Sequence, residues 1–400
     1  MSDSVAGNQA ARNIALLSLT QAIGGSNQSI VMAVGALTGA TLAPAPQLAT
    51  VPITSMIVGL ALSAGPATFV IYRLGRRAGF MFGSFLALLA GVGAAFSVQA
   101  GSFVFFCLSL AFVGASAAFA QQYRFAAADS VPDALKPRAI SFVLLGGVLA
   151  GFVGPQLAYH ARNVLPGTTF SGSFLVISLL AFAAMTALGF TRLAPVARPA
   201  PGEFRGRDTA ELLRTPEVFV PILSAMASYA LMTFVMVAAP LAMVVECGLP
   251  TEDATYAIQW HIVAMFAPSF VTGYIIRRLG AHVTAGIGLM LILASAMTSL
   301  NGITAWHFYA ALVLLGLGWN FGFIGSTTLL TGAYRPEEAA RVQAINEQLV
   351  FGTMAVASIS SGLLLQTIGW QSINVLAIPI ATAAIGLLAW ADTRRRRSAA

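Results

Sequence analysis

Four kinds of residue are scarce in this chain, and each scarcity removes a class of chemistry. Among 400 residues there is one lysine, Lys136, two cysteines, Cys107 and Cys247, and four histidines. A single lysine set between apolar runs provides neither a P-loop nor a Schiff-base group, and HExxH and GxSxG are absent. ATP-driven transport within this chain and the common hydrolases are therefore set aside, and an enzyme is not expected. Cys107 falls inside an apolar run and Cys247 near the end of another, which gives no disulfide framework and no metal-ligand cluster. No cofactor and no resident metal are expected.

Charge is the fourth scarcity. Charged residues are 9% of the chain against 58% hydrophobic, with mean hydropathy +0.82. That is too little polar surface to coat a soluble globule, so the chain belongs in a lipid bilayer. A net charge of +7 would point to nucleic acid in a soluble protein. Here the basic groups sit in short loops between apolar runs, and no nucleic-acid partner is expected. They cluster at Arg12, Arg73/Arg76/Arg77, Arg124 with Lys136/Arg138, Arg192 to Arg214, Arg277/Arg278, Arg335/Arg341 and Arg394 to Arg397; of 21 basic residues only Arg162 lies elsewhere. Because Lys and Arg flanking spans are retained inside, each pair of apolar runs between clusters leaves the cytoplasm and returns. Both termini are expected to be cytoplasmic. The run after Arg12 lacks the basic region and cleavage site of a signal peptide, and is expected to be a retained first span.

A helix needs about 20 mostly apolar residues to cross the hydrocarbon. The runs fall at 12–36, 48–71, 78–98, 102–124, 139–160, 171–193, 217–245, 253–276, 281–301, 305–330, 342–368 and 370–391. The fold class expected is thus an all-α integral membrane protein of twelve transmembrane helices. The segment 194–216 carries four prolines and four arginines and cannot span. It divides the chain into a six-helix half at 1–193, a cytoplasmic linker, a second six-helix half at 217–393 and a basic tail at 394–400. Within the linker, Asp208 and Glu211 have capping-box spacing ahead of Leu212 and Leu213, which predicts a short amphipathic helix on the inner leaflet. The halves echo each other: Tyr72 to Arg77 (YRLGRR) and Ile276 to His282 (IRRLGAH) share Arg-Leu-Gly. Parallel halves of this kind rock about a midplane site to give alternating access.

These residues resemble the major facilitator superfamily. Its loop signature, Gly-x-Leu-Ala-Asp-Arg-x-Gly-Arg-Arg, is matched by Arg73, Gly75, Arg76 and Arg77, with Thr68 in place of the first Gly and Tyr72 in place of Asp. The second copy keeps Gly273, Arg278 and Gly280 and has Arg277 at the acidic position. In the family that acid helps latch the cytoplasmic side, so the resemblance puts the usual latch in doubt here. Glu347 is a substitute that could meet Arg73 or Arg76 with reversed polarity; the alternative is a solvated carboxylate. Leu110 stands where drug exporters carry an Arg, and the polarity of that span lies lower, at Arg124 and Asp129, read either as a snorkelling anchor with a helix-end carboxylate or as an inner gate. Gly147, Gly151, Gly154 and Pro155 match part of an exporter motif, although Ala158 and Tyr159 replace its last glycines, and small residues also serve close helix packing.

Acids are absent from the middle of the expected spans. His261 is the best-placed titratable group there, read as a structural donor or as a carrier of a coupling proton. The spans that line the cavity in this family make Asn27, Gln28, Tyr229, Thr233, Trp319 and Asn320 the candidate substrate residues, each equally able to satisfy a helix–helix hydrogen bond. Together they offer hydrogen bonds and stacking without formal charge, which fits an uncharged polar solute containing rings. Several short strings, among them GWNFGFIGSTTLL at 318–330, resemble a bacterial branch of the superfamily that includes proposed riboflavin importers. The resemblance implies a monomeric secondary transporter of a small organic solute in a bacterial inner membrane. Uptake of a riboflavin-like solute leads; proton-coupled export of apolar compounds and a non-transporting receptor are the alternatives.

Overall fold

The computed structural model describes residues 2–132, 135–193, 207–335 and 338–399. Asp133 and Glu337, which the sequence puts at or near the inner face, and the linker residues 194–206 lie outside them. Among the described residues the secondary structure is helical throughout, as it must be where no water is present to satisfy backbone N–H and C=O groups. The helices are α1 (Ser2–Leu42), α2 (Val51–Leu74), α3 (Arg76–Gln99), α4 (Phe103–Ala120), α5 (Tyr123–Ala128), α6 (Lys136–Ala161), α7 (Ser171–Gly189), α8 (Thr209–Arg214), α9 (Pro216–Leu241), α10 (Thr251–Phe266), α11 (Ser269–Leu279), α12 (Ala281–Leu300), α13 (Ala305–Thr331) and α14 (Ala339–Ala399). A π turn, Ala242–Glu246, follows α9 directly after Pro240.

Two expected spans are interrupted. The fourth breaks at Gln121–Gln122 between α4 and α5, and the eighth breaks at Ala267–Pro268 between α10 and α11, where the chain bends by 46°. Pro268 has no N–H to donate back to Ala264, so the helix cannot run through it unbroken. The last two expected spans are separated by Gly369 alone, whose φ of 76° is left-handed. Among the described residues nine helices are long and apolar enough to cross a membrane, or ten with α10 and α11 taken as one broken span; Arg341–Arg395 is counted once despite Gly369. α1 is not among them, because Gln21, Asn27 and Gln28 dilute its apolar face.

The repeat seen in the sequence is also a repeat of backbone shape. Gly75 joins α2 to α3 at φ 84°, ψ 160°, and Gly280 joins α11 to α12 at φ 85°, ψ 157°. Only glycine adopts this region without strain. Two compact units result: residues 1–199 with 251–266, and residues 200–250 with 267–400. In the first, α1 packs on α6, α2 on α4, α3 on α7, and α10 on α6; in the second, α12 packs on α13 and α9 on α14. Serine hydroxyls tie neighbours where backbones come close, Ser178 to the Leu88 carbonyl at 2.7 Å, Ser295 to that of Ala311 at 2.7 Å and Ser361 to that of Phe234 at 2.7 Å.

The N-cap half of the expected capping box forms, with the Asp208 carboxylate accepting from the Glu211 backbone N–H at 2.7 Å. The leaflet expectation for α8 is corrected. Leu212 is fully buried against Val218, Ile222, Leu330 and Val342, so its apolar face covers the helices of its own unit.

Candidate functional site

In the second unit Tyr229 of α9 projects its edge onto three rings. Centroid distances are 5.1 Å to Trp319, 4.9 Å to Phe323 and 6.2 Å to Phe351. Trp319 and Phe323, one turn apart on α13, lie nearly parallel at 5.5 Å and 10°. One turn along α9 from Tyr229, Thr233 is fully buried, and its hydroxyl has no hydrogen-bond partner among the described residues. Tyr229, Trp319, Phe323 and Phe351 thus form an uncharged aromatic cluster. Phe323 and Phe351 gave no signal in the sequence: with 26 phenylalanines, two more in apolar runs are unremarked.

Asn320, beside Trp319 on α13, is fully buried and bridges to α11. Its Nδ2 donates to Ser269 Oγ at 2.8 Å, and Thr272 Oγ1 lies 2.7 Å from its Oδ1 and 2.8 Å from the Pro268 carbonyl. Its amide thus holds the segment that follows the Pro268 break.

In the first unit Asn27 is buried within α1 and borders a small recess with Thr20, Ser84, Ser116 and Tyr123. Gln28 next to it is half-buried. His261 is fully buried in α10. That helix meets α6 through three polar or aromatic rungs: Phe152 against Trp260 at 5.5 Å, Gln156 Nε2 donating to Gln259 Oε1 at 2.6 Å, and the Tyr159 hydroxyl donating to Glu252 at 3.1 Å.

The candidate gate residues separate into groups. Arg76 begins α3 and Asp129 caps the C-terminal end of α5, so each charge opposes the dipole of its own helix. They neutralise one another in a direct ion pair, with the Arg76 side chain 9% exposed. Arg73, in the last turn of α2, extends over the Phe69 ring at 5.2 Å. Arg124 stacks on Phe125 at 4.9 Å and Arg278 on Tyr274 at 5.1 Å. Arg77 and Glu347 are exposed.

Residues 14–352 match the family model described as Major Facilitator Superfamily. The chain belongs to the major facilitator superfamily. It is a multi-pass membrane transporter. Over 373 residues, 93% of each chain, it is 44% identical to the riboflavin transporter RfnT of Brucella anthropi. It is 24% identical to the uncharacterised MFS-type transporter YddS of Bacillus subtilis, over 95% of this chain and 90% of that one. Its fold matches the crystal structure of a bacterial homologue of the iron transporter ferroportin with TM-score 0.63 and 13% identity, over 95% of this chain and 99% of the other. That likeness concerns the fold.

Within the superfamily's loop signature the acid is replaced by Tyr72, and Arg76 of that signature pairs with the carboxylate of Asp129, which caps the end of α5. The glycines shared with exporters are occupied by packing. A side chain at Gly154 would meet Ser26 and Ser29 of α1, while Gly147 and Gly151 lie against Phe266 and Ile262 of α10.

Proposed function

We propose that this transporter takes up riboflavin across a bacterial inner membrane by alternating access. The carrying observation is the 44% identity to RfnT over 93% of both chains. The Tyr229–Trp319–Phe323 cluster supports it, since isoalloxazine is flat, aromatic and uncharged at neutral pH. The topology proposed is twelve crossings with both ends cytoplasmic. It follows when α1 is counted as a span and α14 is divided at Gly369, and it leaves the basic loops inside.

The test is growth of a riboflavin auxotroph lacking its own importer, expressing the chain at limiting riboflavin. Parent, Trp319→Ala and Trp319→Phe strains are matched for inserted protein. The parent rescues growth. Trp319→Ala raises the riboflavin requirement about tenfold, as loss of one stacking partner does, and Trp319→Phe recovers most of that. An inserted parent that neither rescues nor accumulates riboflavin overturns the reading, and saturable binding without accumulation assigns a receptor instead.

A further inference from the structure

Two helix ends in the second unit carry the same local arrangement. Tyr274 on α11 and Trp390 on α14 are exposed rings, and arginine stands over each. Arg278 lies 5.1 Å from the Tyr274 centroid with Arg277 at 6.0 Å, and Arg394 lies 5.6 Å from that of Trp390. Residues four apart share a helix face and are separated by about 6 Å along the axis. An exposed Tyr or Trp near the end of a span settles at headgroup level, so the guanidinium one turn further on reaches the depth of the lipid phosphates. The two ends meet through α12. His282, in the first turn of α12, places Nδ1 4.0 Å from Asp392 Oδ1, and Arg395 donates to the same oxygen at 3.2 Å. Asp392 is the single acid in segments 269–283 and 386–399, which hold Arg277, Arg278 and Arg394 to Arg397. Arg277, Arg278, Arg394, Arg395 and Arg397 are all exposed. In the first unit Arg73 stands over Phe69 in the same way, but its neighbour Arg76 is neutralised by Asp129.

We propose that this patch, formed by the ends of α11 and α14, binds the headgroup of an anionic phospholipid. It is a site apart from solute transport and does not depend on which solute is carried. A guanidinium offers paired N–H donors to two phosphate oxygens. Contact with the ring beneath holds it in place beforehand, which lowers the cost of ordering it when the lipid arrives. Phe270 and Val271, one turn before Tyr274, are exposed apolar side chains along which an acyl chain can lie. Free phosphate would meet the arginines but would gain nothing from this apolar surface. A zwitterionic lipid brings its own cation to a patch already rich in positive charge.

The experiment is native mass spectrometry of the full-length protein in detergent, titrated with phosphatidylglycerol, phosphatidylcholine or inorganic phosphate. The parent is expected to hold phosphatidylglycerol at least about fivefold more tightly than phosphatidylcholine, because each arginine at headgroup depth attracts the anionic lipid. Arg277→Gln combined with Arg394→Gln lowers that affinity about tenfold. Arg138→Gln combined with Arg214→Gln removes the same charge from two exposed positions elsewhere and changes the affinity by less than about twofold. Equal losses in the two double variants, or equal binding of the two lipids, overturn the assignment. Displacement of the lipid by inorganic phosphate also overturns it, and makes a soluble anion the occupant. Photoactivatable phosphatidylglycerol added to the parent reads the position without any substitution. Its label is expected to be heaviest on 269–283 and 386–397, and heavier labelling of other segments overturns the site even where the double variants fail to fold.

Discussion

Arg207 grips both oxygens of the Glu338 carboxylate. Its backbone N–H and Nε donate to Oε1 at 2.9 and 3.0 Å, and its Nη2 donates to Oε2 at 2.8 Å. The Arg335 backbone N–H adds a bond to Oε2 at 3.0 Å, and the Arg341 guanidinium donates to the Arg207 carbonyl at 2.5 Å. The Glu338 side chain is 1% exposed. The end of the linker is thereby fixed to the turn that precedes α14, and this holds Leu212 of α8 in its apolar seat.

A pH dependence follows. Hydrogen bonds from Arg207, then from the Arg335 backbone, hold the Glu338 carboxyl well below its usual 4.5, while the same partnership raises the Arg207 guanidinium above its ordinary value. A depressed carboxyl stabilises the fold at every pH above its unfolded value and loses that contribution as pH falls toward the folded one. In detergent, Glu338→Gln is expected to melt below the parent by a constant margin from pH 5.5 to 8. The margin should narrow below about pH 4.5, where the parent's contribution declines. A margin that stays flat down to pH 3 would show that the charge on Glu338 does not stabilise this turn.

Most helices were legible as apolar runs of bilayer length. The expected 281–301 is Ala281–Leu300, and 305–330 is Ala305–Thr331. Hydropathy measures length and not continuity, so the breaks at Gln121–Gln122 and Ala267–Pro268 were not seen, although Pro268 was a signal in plain view. Tyr229 and Trp319 were selected separately for their side-chain chemistry, and they do meet. The partners of Asn320 and Asp129 were not legible, because Ser269, Thr272 and Arg76 lie about 50 residues away along the chain. No helical period relates residues at that separation. The same holds for the recess at Asn27, to which five helices contribute.

Asn320 is both a candidate substrate residue and a clamp on α11, and stability measurements separate the two roles. Interhelical side-chain hydrogen bonds in membranes contribute about 0.5–2 kcal/mol. Asn320→Ala and Thr272→Val should each destabilise the solubilised protein by about that amount. The double variant should lose less than the sum, since both remove the same bond. A direct substrate contact would instead lower riboflavin uptake with the melting temperature unmoved.

The contact between α12 and α13 gives the sharpest contrast between two substitutions of the same kind. A Cβ built at Gly288 would lie 2.1 Å from the Gly322 backbone nitrogen and 2.7 Å from the Gly318 carbonyl oxygen, both parts of a backbone that cannot rotate aside. Two residues earlier on the same helix, a Cβ at Gly286 meets nothing within 4 Å. Alanine favours a helix over glycine by about 1 kcal/mol, so helix propensity alone would make both changes stabilising. Steric overlap must reverse the sign at Gly288, because overpacking a close contact costs about 1–3 kcal/mol or more. Thermal melts and the inserted yield of the two variants check this. Gly286→Ala should equal or exceed the parent, and Gly288→Ala should melt lower and insert poorly. A Gly288→Ala protein as stable as the parent would mean that α12 and α13 are not in backbone contact there.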